Sequence, residues 1–141
     1  MNLDILKKLK TPSITVDKNA IVLKKGASGS KVHVLIEGEV TVTAGGHEVA
    51  RVSHPGSVFG EISALLSTEN VADVRTTIES SFYVIEDFME FLRENSDASV
   101  AVSQMLAVRL VNMNNHFVHI KDQMNSVQKN LENYLPVFPE Q

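Results

Sequence analysis

Residues 55–66 read Pro-Gly-Ser-Val-Phe-Gly-Glu-Ile-Ser-Ala-Leu-Leu. A turn at Pro55-Gly56 leads through Val58 and Phe59 to Gly60-Glu61, which open directly onto a short apolar helical segment. Unpaired N–H groups at a helix start point outward and the helix dipole favours negative charge, so the stretch has the physics of an anion site. A glutamate beside an anion is odd for phosphate alone. It makes sense where the carboxylate accepts a hydrogen bond from a sugar hydroxyl. By itself a Gly-Glu pair at a helix start is equally the mark of a capped helix in a surface loop, so the surrounding sequence has to decide.

That sequence changes character near residue 95. All seven glycines lie before it, with most of the β-branched residues; after it come Asn, Gln, Met and Leu, with no proline before Pro136. In the N-terminal segment Asn2–Lys10, Leu3, Ile5, Leu6 and Leu9 have helical spacing, and Pro12 marks its end. Short strands are predicted over Ile14–Val16, Ala20–Leu23, Val32–Ile36, Glu39–Thr43, His47–Val52, Val71–Ile78 and Ser81–Ile85. Lys24–Lys31 (KKGASGSK) reads as a turn, and Gly45-Gly46 between alternating runs as a hairpin. Many short strands separated by turns indicate a roll or barrel rather than a parallel sheet. Asp87–Arg93 is a short helix, and Ser96 or Asp97 is placed to cap the next one.

This last helix, predicted to run to Leu131 or Tyr134, carries the clearest periodicity. Leu106, Leu110, Met113, Phe117, Ile120, Met124, Val127 and Leu131 are spaced alternately by four and three residues, a heptad seam held for more than three heptads. The upstream residues can cover only its first turns, so the seam calls for a second copy, most simply in a parallel homodimer.

Composition narrows the function. Thirteen Lys and Arg against seventeen Asp and Glu give a net charge of −4, without the basic footprint of a nucleic-acid binder. The absence of cysteine excludes disulfides, thiolate metal sites and Cys nucleophiles, and fits a cytoplasmic location. No run is long and apolar enough to span a membrane, and MNLDILKKLK has charges inside its apolar stretch, unlike a signal peptide. His33 stands alone in an apolar strand, His47 and His54 are near turns, and His116 and His119 flank the seam position Phe117. No metal site is expected from them, and no Ser/His/Asp constellation or P-loop is present; we expect no catalytic residues, no cofactor and no enzyme.

Gly26, Gly29, the apolar strand Val32–Ile36, Glu37-Gly38-Glu39-Val40, Pro55-Gly56 and Phe59-Gly60-Glu61-Ile62 together resemble the cyclic-nucleotide-binding domain, the β-roll of the catabolite activator protein and protein kinase A regulatory subunit type. The resemblance covers about residues 10–130 and is most specific at VFGEISALL. It implies an α+β fold: a β-roll (a jelly-roll-like double-stranded β-helix) over residues 1–95, with a short N-terminal helix. A long dimerisation helix over 96–135 and a tail over 136–141 would follow. It also implies that residues 59–63 form the phosphate-binding cassette. Glu61 would take a ribose hydroxyl, and backbone N–H groups of Gly60, Ile62 and Ser63 would face the cyclic phosphate, beside Phe59. Asn114 and Asn115 on the long helix would be candidates for the base edge. The ligand implied is a cyclic nucleotide, cAMP first, and the relatives' helix-turn-helix does not fit in Glu132–Gln141, so direct operator binding is not expected.

One departure stands against these matches. The family places an arginine about nine residues after the glutamate; here the run is Asn70-Val71-Ala72-Asp73-Val74, which puts Asn70 at the arginine position. Asparagine donates hydrogen bonds but brings neither charge nor a bidentate fork. Val71 has no side-chain donor. Arg75 is five residues past Asn70, on the opposite face by strand alternation, and Lys31 and Arg51 are further cations without an evident place. Two readings follow. The chain is a homodimeric cyclic-nucleotide sensor that signals through its long helix, or a domain that has lost nucleotide binding and serves as a dimerisation or docking module for another protein or output domain.

Overall fold

The computed structural model describes residues 1–134. Elements follow in the order α1 (Leu3–Lys8), β1 (Ser13–Val16), β2 (Ile21–Leu23), β3 (Val32–Glu37), β4 (Val40–Ala44), β5 (His47–Val52), β6 (Val58–Phe59), α2 (Glu61–Leu66), β7 (Asp73–Thr76), β8 (Ser80–Ile85), α3 (Phe88–Glu94) and α4 (Ser96–Glu132). The strands form two antiparallel four-stranded sheets, ordered β1-β8-β3-β6 and β2-β7-β4-β5, the β-roll expected.

Alternation explains the roll. β8 buries Ser80, Phe82 and Val84 and leaves Ser81 and Tyr83 half-buried, the period of two that turns one face of a strand inward. The core between the sheets draws on all eight strands. Leu35, Val40, Phe59, Val74 and Phe82 are buried there, and Val16, Val22, Leu23, Val42 and Val52 pack against them. Leu6 of α1, Phe88 of α3 and Ala98 and Val102 of α4 are also buried. Gly45 and Gly46 join β4 to β5 with φ of 60° and 78°, the left-handed pair that a tight hairpin requires.

Two local expectations need correction. The run Val71–Ile78 yields a strand only over Asp73–Thr76. Asn70 instead exchanges backbone bonds with the Lys24–Lys31 turn, its N–H donating to Ala27 O at 2.8 Å and its carbonyl accepting from Gly26 N–H at 2.8 Å. That pairing holds Asn70 off the sheet and leaves it in a loop with Val71 and Ala72. The caps proposed for the long helix also shift. Ser96 and Asp97 lie inside its first turn, and the residue before it, Asn95, turns its side chain back to donate to Phe91 O at 2.8 Å.

The chain divides after Val102 into two units, so α4 begins in the first and continues through the second. Within the second unit the predicted seam is apolar and uncovered. Leu110, Met113, Phe117, Met124, Val127 and Leu131 are each more than half exposed and Ile120 somewhat less, while Leu106 is half-buried. The helix ends at Glu132, within the expected range, and the tail 136–141 lies outside the described residues.

Candidate functional site

The cassette is built by one backbone conformation. Gly60 precedes α2 with φ 91° and ψ 3°, the left-handed region that favours glycine. A Cβ at Gly60 would also lie 3.1 Å from Lys31 O and 3.3 Å from the Leu23 side chain, so the turn is pressed against β2 and the start of β3. The turn swings β6 directly into α2. Phe59 stays in the core, edge-on to Phe82 with ring centroids 6.4 Å apart. Glu61 is only 4% exposed and Ser63 only 7%, whereas Ile62 between them is 46% exposed. A glutamate is almost never buried this far unless its carboxylate is paired.

Asn70 reaches the same place from the other side of the loop. Its Oδ1 accepts from the Ser63 hydroxyl at 2.5 Å, and its Nδ2 donates to Lys24 O at 3.2 Å. The Asn70 side chain therefore ties α2 to the Lys24–Lys31 turn. Val71 beside it is 78% exposed. Phe59, Gly60, Glu61, Ile62, Ser63 and Asn70 thus lie in one region. Asn114 and Asn115 lie on α4 in the second unit, both exposed.

The other cations now have places. Arg75 is exposed on β7 and donates to Asn19 O at 2.8 Å. Arg51 is engaged by Glu48 at 3.1 Å and Glu39 at 3.5 Å. Lys31 pairs with Glu86 at 3.4 Å across a mostly exposed contact, and with Lys24 it borders a cavity that Asn70 and His33 also line. Sequence reading missed this cavity, although lysines at both ends of a Gly/Ser turn were the available signal.

His33 is 8% exposed, and its Nδ1 has no hydrogen-bond partner. Its ring stands edge-on to Phe82 at 5.9 Å. Burial lowers its pKa, and the Lys31 charge lowers it further against a weaker opposing pull from Glu86. The folded state therefore resists a proton that the unfolded state accepts near pH 6.5, so this residue makes stability fall as pH drops below that value. Urea titrations from about pH 7 to about pH 5 should show a shallower acid loss for His33→Phe than for the parent. Parallel curves would mean the imidazole is not the group responsible.

Among the described residues, no group of three or more His, Cys, Asp or Glu is arranged to hold a metal ion. No described helix is long and apolar enough to cross a membrane.

Comparison with known proteins agrees with this geometry. A family model described as the cyclic nucleotide-binding domain matches residues 13–95. The catabolite activator protein of Thermus thermophilus superposes with a TM-score of 0.71 at 19% identity, over 84% of this chain and 58% of that one. A structure titled for a cyclic-GMP-dependent signalling pathway that regulates bacterial phytopathogenesis gives 0.65 at 18% identity, over 79% and 95%. The cAMP-bound PfPKA-R gives 0.57 at 20%, over 66% and 33%. The chain thus spans 58% and 33% of the length of the activator and of PfPKA-R. At this identity the structural likenesses speak for the fold.

Proposed function

Because this chain belongs to the cyclic nucleotide-binding domain family, we propose that it is a regulatory, non-catalytic module that binds a cyclic nucleotide, cAMP first, and acts as a cytoplasmic homodimer. The observation that carries the reading is the cassette itself. A left-handed Gly60 delivers a nearly buried Glu61 and Ser63 to the point where Asn70 arrives. In this reading Glu61 accepts from the ribose hydroxyl, and the N–H groups of Gly60, Ile62 and Ser63 face the phosphate beside Phe59, Asn70 and Val71. Asn114 and Asn115 contact the base. Nucleotide binding biases α4 between two arrangements, and the dimer passes that bias to a partner protein or output domain.

The bond between Asn70 and Ser63 favours a second reading as well. It satisfies both groups within the protein, as expected of a domain that has given up its nucleotide and kept its roll for docking. Isothermal titration calorimetry with cAMP and cGMP separates the two. Saturable heat from the parent supports the sensor, and none from either nucleotide supports the docking module. If the parent binds, Glu61→Gln should weaken it by about threefold to tenfold, because one oxygen still accepts but the charge is gone. An unchanged affinity would remove Glu61 from the ribose.

A further inference from the structure

His33 is enclosed by apolar neighbours. The register sets Phe59 of β6 and Val84 of β8 directly opposite it, and residues opposite each other in an antiparallel pair share a face. Phe82 meets its ring at 5.9 Å. The strands around it, β2, β6 and β8, carry no charged side chain. Tyr83, which is titratable, pairs with Val34 and so lies on the other face of the sheet. Charges stand at the strand ends: Lys31 before β3 and Glu37 at its close, Lys24 after β2, Glu61 after β6, Glu86 and Asp87 after β8. An imidazolium carries N–H at both nitrogens, so the charged form of His33 leaves a buried donor at Nδ1 with no acceptor. Of the elements that enclose the ring, β6 is the least secured. It is two residues long, lies at the edge of its sheet and is in register with β3 at two positions, His33–Phe59 and Val34–Val58. β8, by contrast, is paired on both sides, with β1 and with β3.

We propose that protonation of His33 releases β6, and that the Gly60–Glu61 turn, which follows β6 without a break, is therefore a pH-gated element: closed at neutral pH and opened in mild acid. Withdrawing Phe59 uncovers the ring and lets water solvate the imidazolium, at a smaller loss of pairing than opening β8 would cost. The Lys31 charge repels the imidazolium and favours the open form, and the weaker pull of Glu86 opposes it. The sign follows from the depressed pKa of the closed form. The closed form is fully favoured above the ordinary histidine value of about 6.5 and loses up to about tenfold in population per pH unit below it, until the pKa of the closed form is reached. Glu61, two residues beyond Phe59, is nearly buried in the closed form, so acid would loosen the element that holds its carboxylate in place. This inference rests on the fold and not on nucleotide binding.

Amide hydrogen exchange of the whole protein, read by NMR and expressed as protection at each pH, tests the gate without a ligand. Leu35 N–H donates to Ser57 O at 2.9 Å beside the β3–β6 pairing, and Ala64 N–H donates to Gly60 O at 3.1 Å in the first turn of α2. Thr76 N–H, which donates to Ala20 O at 3.0 Å, reports on the other sheet. Between about pH 7.5 and about pH 5.5, protection at Leu35 and Ala64 should fall by about tenfold, while protection at Thr76 should hold. In His33→Phe the fall at Leu35 and Ala64 should disappear. His33→Gln, which cannot titrate either, takes its place if the larger ring does not fold. An equal fall at all three amides would put the acid effect in global unfolding and overturn the gate. So would a parent whose protection does not change, or a fall that persists in the variants. A protein that binds no cAMP but shows the local fall would end the nucleotide reading alone, and one that binds cAMP without the local fall would end the gate alone.

Discussion

Phe117→Glu should convert the protein from dimer to monomer. Phe117 is 67% exposed on α4, midway along a seam that also includes Met113, Ile120 and Met124. Fully burying a phenylalanine side chain stabilises an interface by roughly 1.5–3 kcal/mol. In a symmetric dimer the substitution removes that contribution twice and sets two carboxylates against each other in an apolar seam. The dissociation constant should rise by about a thousandfold or more, which light scattering across a concentration series reads directly. Phe117→Leu keeps the seam apolar and should keep the dimer. A parent that is monomeric at every concentration, or a Glu variant that still dimerises, would remove α4 from self-association. Circular dichroism adds a second readout, because a solitary helix of this kind depends on packing and should lose helicity when the partner leaves.

Asn70→Arg should strengthen cAMP binding. Hydrogen bonds to charged groups contribute about 1.5–3 kcal/mol, which is roughly tenfold to a hundredfold or more in affinity. The substitution also removes Oδ1, the acceptor that holds the Ser63 hydroxyl, and so frees that hydroxyl for the phosphate. The position tolerates the longer side chain in principle, because Asn70 is in a loop and half-buried. Calorimetry of parent and variant has three informative outcomes. Tighter binding by the variant places the family's arginine at position 70. Binding by the variant alone identifies a retired nucleotide pocket and favours the docking module. Equal binding means that the charge is met elsewhere and the alignment at Asn70 is wrong.

What the sequence disclosed followed from periodicity and from turns. The strand over Ser81–Ile85, the Gly45-Gly46 hairpin and the apolar spacing of α1 each depend on neighbours along the chain, and each appears as expected. The turn into α2 was legible because it is made at a glycine, Gly60, in a conformation that other residues avoid. Asn70–Ala72 misled because β-branched residues around them suggested strand, while the deciding bonds come from Gly26 and Ala27, more than forty residues earlier. The cavity beside Gly60 was hidden for the same reason. Lys24, Lys31, His33 and Asn70 share no motif and meet only because the Lys24–Lys31 turn folds over the cassette. The cap of α4 failed on a choice between adjacent polar residues, where Asn95 bonds to Phe91 and leaves Ser96 inside the helix.

The pairing of the first strand with the last has a consequence in time. β1 is held only at the edge of its sheet, against β8, where the hydroxyls of Thr15 and Ser81 meet although they are 66 residues apart in sequence. During synthesis at about 5–20 residues per second, β1 waits for roughly 3–13 s before its partner exists. The roll therefore cannot close strand by strand as it is made, and every sheet hydrogen bond of β1 forms late. Such non-local pairing slows folding relative to a helical domain of similar size. For those seconds the nascent chain presents Ile14 and Val16 on an unpaired edge, and this is the interval in which a chaperone, or another unfinished chain, would find it.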